Sequence, residues 1–316
     1  MSLGAYLLRR SGGLLLVLLV TSFLVFGLLY LAPGSPLAFI LGPRGGTPEQ
    51  IAMVTEQYHL DDPFFVRYAA WLGDILRGDL GYSIVYRQDV SSLVSGRVGT
   101  TLALVSMAAI IIAVVGIGAG TFAALRGGWG DQLTSALAAV GLSTPSFVIG
   151  VALISVFAVG LGWFPTFGSG TGGVDTLWHL TLPAVALSVA SAAYLARITR
   201  AAVLEESGRE HVQTATVRGL APGRIVRHHV LRNSLIPIVT VLGLTIATLI
   251  AGAVVIENVF ALDGLGSLLV RAILQRDFAV VQAVILVLVV AFVVVNAIVD
   301  FLYTFIDPRI ALGSRQ

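Results

Sequence analysis

The chain has 316 residues, 57% of them hydrophobic and 11% charged, with a net charge of +2 and a mean hydropathy of +0.93. A soluble domain carries about a quarter charged residues, so the composition excludes an ordinary soluble enzyme and indicates a membrane protein. Cysteine is absent, which excludes disulfides and thiolate metal sites, and all 19 basic residues are arginine, which removes the lysine of a Walker A phosphate loop.

A helix needs roughly 20 mostly apolar residues to cross hydrocarbon, and six stretches qualify: 14–31, 101–125, 133–161, 180–198, 236–256 and 282–306. Inside lipid these must be helices, because the backbone finds no water there. Arg9 and Arg10 ahead of the first stretch resemble the start of a secretion signal. The stretch is long, however, and LAPGSP after it offers no A-x-A cleavage site, so an uncleaved span is expected.

The segment 32–99 carries five arginines and seven acidic residues. Thr47-Pro48-Glu49-Gln50 has the order of a helix start, with threonine as N-cap, proline at N1 and glutamine at N3. Asp62-Pro63 predicts a second helix, with Phe65, Tyr68, Leu72 and Ile75 on one face and Arg67, Asp74 and Arg77 elsewhere. Such a helix either packs on the outer membrane surface or the chain's own spans, or forms a landing pad for an external partner.

In the second stretch, Gly116-Ile117-Gly118-Ala119-Gly120 superficially resembles a nucleotide-binding glycine loop. Within an apolar span, the spacing Gly116-x-x-x-Gly120 predicts close helix packing instead. The third stretch is interrupted by Thr144-Pro145-Ser146, which either lines a pathway or kinks the helix.

Between the fourth and fifth stretches lies a polar island, 197–232, with seven arginines, three glutamates and three histidines. It is read as a docking surface, with an ordinary basic loop as the alternative. Gly219-Leu220-Ala221-Pro222-Gly223 breaks it. HVQTATVRG before the break is helix-compatible, with Ala215 and Gly219 four apart on one face for the approach of another backbone. The residues from 224 to 232 read as a basic helix leading into Pro237 and the fifth span. His228-His229 lacks metal-site spacing and is read as solvated.

Glu257 and Asn258 close the fifth span, either facing a vestibule or gate or forming an interfacial pair. Asn296 and Asp300 fall in the sixth, where polar groups turn to the bundle interior. Arg9, Arg10, Arg126, the island's arginines, Arg309 and Arg315 all fall on one side of a six-span arrangement. That side is expected to be cytoplasmic, with both termini there. The pI near 9.1 follows from this topology, and no nucleic-acid partner is expected. The expected divisions are 1–31, an N-terminus and first span; 32–99, an outer loop with short helices; and 100–316, a core membrane domain.

Gln213-Thr214-Ala215-x-x-x-Gly219 resembles the EAA signature of permease subunits in bacterial ATP-binding cassette (ABC) importers. Gln213 stands where glutamate is usual, Thr214 replaces an alanine, and Pro237 comes later than the consensus proline. The stretches 60–83, LAPGSP, LGWFPTFG, LRNSLIPIVT, 255–282 and VDFLYTFIDPRI resemble the dipeptide/oligopeptide branch, where glutamine or arginine before threonine-alanine is common. Nearly the whole chain is covered, and it is most like the first of two permease subunits.

The resemblance implies an all-α type I importer permease fold of six transmembrane helices with a structured extracytoplasmic loop. It implies residence in the bacterial cytoplasmic membrane. The chain would be non-catalytic and without a cofactor, with ATP and Mg on partner subunits. The implied partners are a second homologous permease, one or two cytoplasmic ATPases and an external solute-binding protein. A coupling helix is implied near 210–222, with Gln213, Thr214, Ala215, Gly219 and Leu220 as its signature. Thr144, Pro145, Ser146, Glu257 and Asn258 are candidates for the translocation path or gate. Peptide is the implied cargo, with nickel, glutathione or another small solute as alternatives. From a different class, a proton-driven secondary transporter would use Glu257 and Asp300 as proton carriers, but no inverted repeat is visible. A membrane scaffold without transport is the third reading.

Overall fold

The computed structural model describes residues 3–31, 46–57 and 61–306; side chains are described over 12–27, 46–57 and 61–298. In chain order the elements are α1 (Leu3–Leu31), α2 (Pro48–Gln57), α3 (Phe64–Leu76) and the strands β1 (Tyr82–Ser83) and β2 (Gln88–Asp89). Then follow α4 (Val90–Arg126), α5 (Gly128–Ser143), α6 (Ser146–Gly160), α7 (Gly173–Ser207), α8 (Glu210–Val217), α9 (Pro222–Val259), α10 (Leu265–Gln275) and α11 (Phe278–Ile306). π-helical turns at Ile112–Gly116, Ile154–Gly160 and Val226–Leu231 lie within α4, α6 and α9.

Among the described residues, α4, α7, α9 and Phe278–Ile298 of α11 are long and apolar enough to cross a membrane. The pair α5 and α6 makes a fifth crossing if counted as one, but it is bent by 104° at its break. Helix α1, 29 residues long, spans about 43 Å at 1.5 Å per residue. Each of the six apolar stretches thus falls on helix, while Asp300's side chain, Arg9, Arg10, Arg309, Arg315 and LAPGSP lie outside the described residues or side chains.

The chain divides into two compact units. One comprises Thr100–Leu262 with the chain from Val294 onward. Its centre is α7, which packs against α4, α5, α6 and α9. Of α7's most apolar window 61% is buried inside the chain, against 28% for α4, so α7 is the hub and α4 leaves a broad apolar face outward. Leu104, Ile112, Leu180, Leu195, Ile256 and Phe260 form the core. Gly116 and Gly120 face α7: a Cβ on Gly120 would lie 2.4 Å from the Ala196 carbonyl oxygen and 2.6 Å from Thr199 Cβ. The glycine run is therefore a close helix crossing inside a continuous helix, not a phosphate loop.

The other unit comprises Ser2–Gly99 with Asp263–Val293. Helix α2 begins in a capping box: the Gln50 amide donates to Thr47 Oγ1 at 3.3 Å and the Thr47 amide to Gln50 Oε1 at 3.0 Å. The Thr47 hydroxyl also holds the Glu49 carboxylate below its usual range. Helix α3 packs on α1, with Tyr68 and Ser22 hydroxyls 2.8 Å apart and the Phe26 and Trp71 ring centroids 5.3 Å apart.

The face used by α3 differs from the expected one: Phe65 is 72% exposed, while Arg67 is 7% exposed. The rings of Phe23 and Phe26 engage Phe64, Tyr68 and Trp71, and Phe65 only stacks on Phe23 from the rim, so the buried stripe keeps Tyr68 but shifts toward Phe64 and Arg67. The short hairpin that follows is held where Ser83 donates to Asp277. Asp277 in turn caps α11 by accepting from the Val280 amide at 3.3 Å.

Candidate functional site

The polar island folds as a compact projection. Helix α7 continues to Ser207, so the first part of the island extends the fourth span. After a turn at Gly208, α8 presents two faces. Val212 and Ala215, three residues apart, are buried with Val203, Ile225 and Val230, and Leu220 packs against them. Gln213, Thr214 and Val217 face outward, and Val217 is 88% exposed.

This corrects the expected contact face. Ala215 turns inward to the chain's own core and offers nothing to another backbone. Gly219 is not on the helix at all. It follows the Arg218 cap with φ +76, a left-handed conformation that glycine adopts without steric cost. Its amide donates to the Thr216 carbonyl at 3.0 Å, and the Leu220 amide to the Ala215 carbonyl at 3.3 Å. This is a Schellman ending with its usual apolar clasp, here Leu220 against the Ala215 cluster. Pro222 then opens α9 at its first position.

Glu206, near the end of α7, fixes the projection. Its carboxylate accepts from Arg209 Nε at 3.0 Å, lies 3.2 Å from His211 Nε2 and accepts from Asn233 Nδ2 at 2.9 Å. The residue is only 8% exposed, so its charge is held by partners from α8 and α9 rather than by water. Arg209 and His211 are exposed, so water takes up their charge once the carboxylate is gone, and what is lost is hydrogen bonding to a charged group, about 1.5–3 kcal/mol. Glu206→Ala is expected to loosen the projection by about 2 kcal/mol. The readout is faster tryptic cleavage at Arg209 and Arg218 while the spans stay protected; unchanged cleavage would refute this role.

A second feature lies along α7 and α9. Thr144, Pro145 and Ser146, at the 104° break, line a groove of about 380 Å³ together with Ser191 and Thr248. A neighbouring groove of about 400 Å³ shares Ser191 and Thr248 and adds Tyr194 and Thr245. The Thr144, Thr245 and Thr248 hydroxyls donate to carbonyls of their own helices at 2.7–2.8 Å. Their protons are used, and their oxygens remain as acceptors beside the hydroxyls of Ser146, Ser191 and Tyr194, along a wall without a charged residue. Pro145 thus both breaks the helix and lines the groove.

Glu257 and Asn258 do not belong to this groove. Glu257 is fully buried and accepts from the Thr101 hydroxyl at 2.6 Å, which ties α9 to α4. It is neither a vestibule residue nor part of an interfacial pair. Asn258 is exposed and donates to the Val254 carbonyl of its own helix at 2.7 Å. Asn296 is half-buried. Glu206, Asn233, Ser191, Tyr194, Thr245 and Thr248 were not singled out from the sequence. The signal for the last four is polar residues three apart within apolar spans, in two helices at once.

Residues 116–312 match the model of the binding-protein-dependent transport system inner membrane component, and residues 3–105 match that family's N-terminal model. The chain is 38% identical over 98% of its length to a probable peptide ABC transporter permease, y4tP, of Sinorhizobium fredii, covering 99% of that protein. It is 37% identical over 96% of its length to the glutathione transport system permease GsiC of Escherichia coli K12, covering 98% of it. Among solved structures it resembles a chain of the MetNI methionine ABC transporter in an inward-facing conformation. The TM-score is 0.57 at 22% identity, over 68% of this chain and 96% of that one. A chain of an amino acid ABC transporter gives a TM-score of 0.53 at 16% identity, over 67% and 94%.

Proposed function

The chain belongs to the family of binding-protein-dependent transport system inner membrane components, and on that premise we propose that it moves peptides inward and takes its energy through α8. It is a non-catalytic permease subunit of an ABC importer with the type I permease fold. The observation that carries the proposal is the outward face of α8. Gln213, Thr214 and Val217 are exposed, with the Gln213 side-chain amide donating back to the Gly208 carbonyl, on a helix pinned from behind by Glu206 and closed by Gly219 and Leu220.

An apolar side chain held out on a rigid eight-residue helix, beside polar neighbours, can enter a groove on another protein. The partner is a cytoplasmic ATPase, present once or twice, that holds ATP and Mg. A second homologous permease supplies the other half of the path, and an external solute-binding protein delivers the cargo. Closure of the ATPases on ATP moves α8 as a rigid body and biases the permease pair between two arrangements. In this reading the chain crosses the inner membrane six times with both termini in the cytoplasm.

The hydroxyl-lined groove of Thr144, Ser146, Ser191, Tyr194, Thr245 and Thr248 is this subunit's share of the path. Its lack of charge suits a solute that must leave again and need not be held tightly. Glutathione is the second reading of the cargo, supported by the similarity to a glutathione permease at an identity close to that with the probable peptide permease.

The test is uptake in proteoliposomes holding the assembled complex. Labelled dipeptide and glutathione are supplied in turn, with ATP inside or with a pH gradient alone. ATP-dependent dipeptide uptake is expected, and none from the gradient. Glutathione uptake without dipeptide uptake reassigns the cargo, and gradient-driven uptake by this chain alone overturns the proposal.

A further inference from the structure

Beside the projection, α9 begins with a face that changes character along its length. Arg227, His228 and Arg232 stand at its polar end, and Leu231, Leu235 and Ile238 carry the same groove toward the span. With Ile117 of α4 they enclose about 400 Å³. From Arg232 to Ile238 the groove descends about 9 Å at 1.5 Å per residue.

Some arginines of the region are neutralised within the chain, and what sets Arg227 and Arg232 apart from the rest is that they share one groove. Arg200 is clamped by Asp131, and Arg209 by Glu205 and Glu206. Arg227 and Arg232 are exposed and have no carboxylate or hydrogen-bond partner among the described residues. Two guanidiniums without a partner in the chain, at one end of the same groove, are placed to receive an anion. Guanidinium forks match phosphate oxygens. The lower half of the groove asks for something else: Leu235 is an open apolar side chain and Leu231 is half-buried, over a floor closed by Ile238.

A free anion would satisfy the arginines and leave that wall bare. An acidic patch on a soluble partner would do the same. A molecule with a phosphate at one end and hydrocarbon at the other satisfies both. Such a molecule is abundant where a membrane-crossing helix leaves the bilayer, and basic pockets between spans at that level take anionic headgroups.

We propose that this groove is a binding site for an anionic phospholipid, with its phosphate on Arg227 and Arg232 and the upper part of an acyl chain along Leu231 and Leu235. The lipid packs where α4 meets the start of α9. It therefore braces the base of the projection from the membrane side. The site needs only that α9 crosses the bilayer, so it stands apart from the identity of the cargo and from the docking role of α8.

The experiment is native mass spectrometry of the purified full-length chain in detergent, offered phosphatidylglycerol or phosphatidylcholine of matched acyl chains. Phosphatidylglycerol is expected to be retained about tenfold more. The double variant R227Q/R232Q should lose that preference, R227K/R232K should keep part of it, and R224Q, outside the groove, should keep all of it. Inorganic phosphate in excess should not displace the lipid. Equal retention of the two lipids by the native chain overturns the proposal. So does an undiminished preference in R227Q/R232Q, or displacement by phosphate alone, which marks a simple anion site. Loss of ATPase association in R227Q/R232Q with lipid retention unchanged assigns the arginines to a protein contact and equally overturns it.

Discussion

Val217→Asp is expected to abolish solute-stimulated ATP hydrolysis by the assembled complex while leaving the permease folded and inserted. Val217 is 88% exposed and closes no contact within the chain, so the substitution should change the permease's own stability by less than about 0.5 kcal/mol. In the docking proposed for α8 the same position meets the partner. A carboxylate forced into an apolar pocket without a counter-charge costs about 2 kcal/mol or more. Docking should weaken at least about thirtyfold. The measurement is ATPase activity with and without solute, beside the thermal stability of the permease alone. A destabilised permease would mean that Val217 serves the fold, and undisturbed stimulation would mean that α8 is not the docking element.

The second large effect concerns the crossing of α4 and α7. Alanine at position 120 places a methyl carbon 2.4 Å from the Ala196 carbonyl oxygen, deep inside van der Waals contact with backbone that cannot rotate away. Overpacking of this kind costs about 1–3 kcal/mol and exceeds the gain of about 1 kcal/mol that alanine brings to an ordinary helix site. Gly118→Ala, two residues away, meets nothing within 4 Å and keeps only the gain. The two substitutions are therefore expected to move the melting temperature in detergent in opposite directions, Gly120→Ala down and Gly118→Ala level or up. A shift of the same sign in both would remove the close crossing from the account.

What the sequence reveals here depends on how local the cause is. The apolar stretches are legible because a run of some twenty apolar residues needs no tertiary context to demand a helix in lipid. The start of α2 is equally local: Thr47 and Gln50 satisfy one another's backbone, and nothing else is needed. The break at Gly219 is legible for the same reason. The direction in which α8 faces is not. Ala215 is small, and a small residue suits either a partner's approach or the chain's own core. Val203, Ile225 and Val230 decide it, and they come from the helices before and after.

The shift of α3 follows the same logic, since the aromatic side chains of α1 hold Phe64 and Tyr68 and leave Phe65 at the rim against Phe23, with Arg67 inside. Glu257 is read wrongly from its place at the end of a span because its partner, Thr101, is 156 residues away. The groove is half legible. Pro145 announces a break in one helix, but Ser191 and Thr248 join it only when α7 and α9 are set side by side.

The central claim is that the outward face of α8, and not Ala215, meets the ATPase. The chain has no cysteine, so single cysteines introduced at 213, 217 and 215 report without background. The direct measurement is the rate of maleimide labelling of Gln213→Cys, Val217→Cys and Ala215→Cys in the permease, with and without the bound ATPase. The expected result is rapid labelling at 213 and 217 that is lost when the ATPase binds, with 215 slow in both states. Labelling at 217 that proceeds equally fast with the ATPase bound would contradict the account.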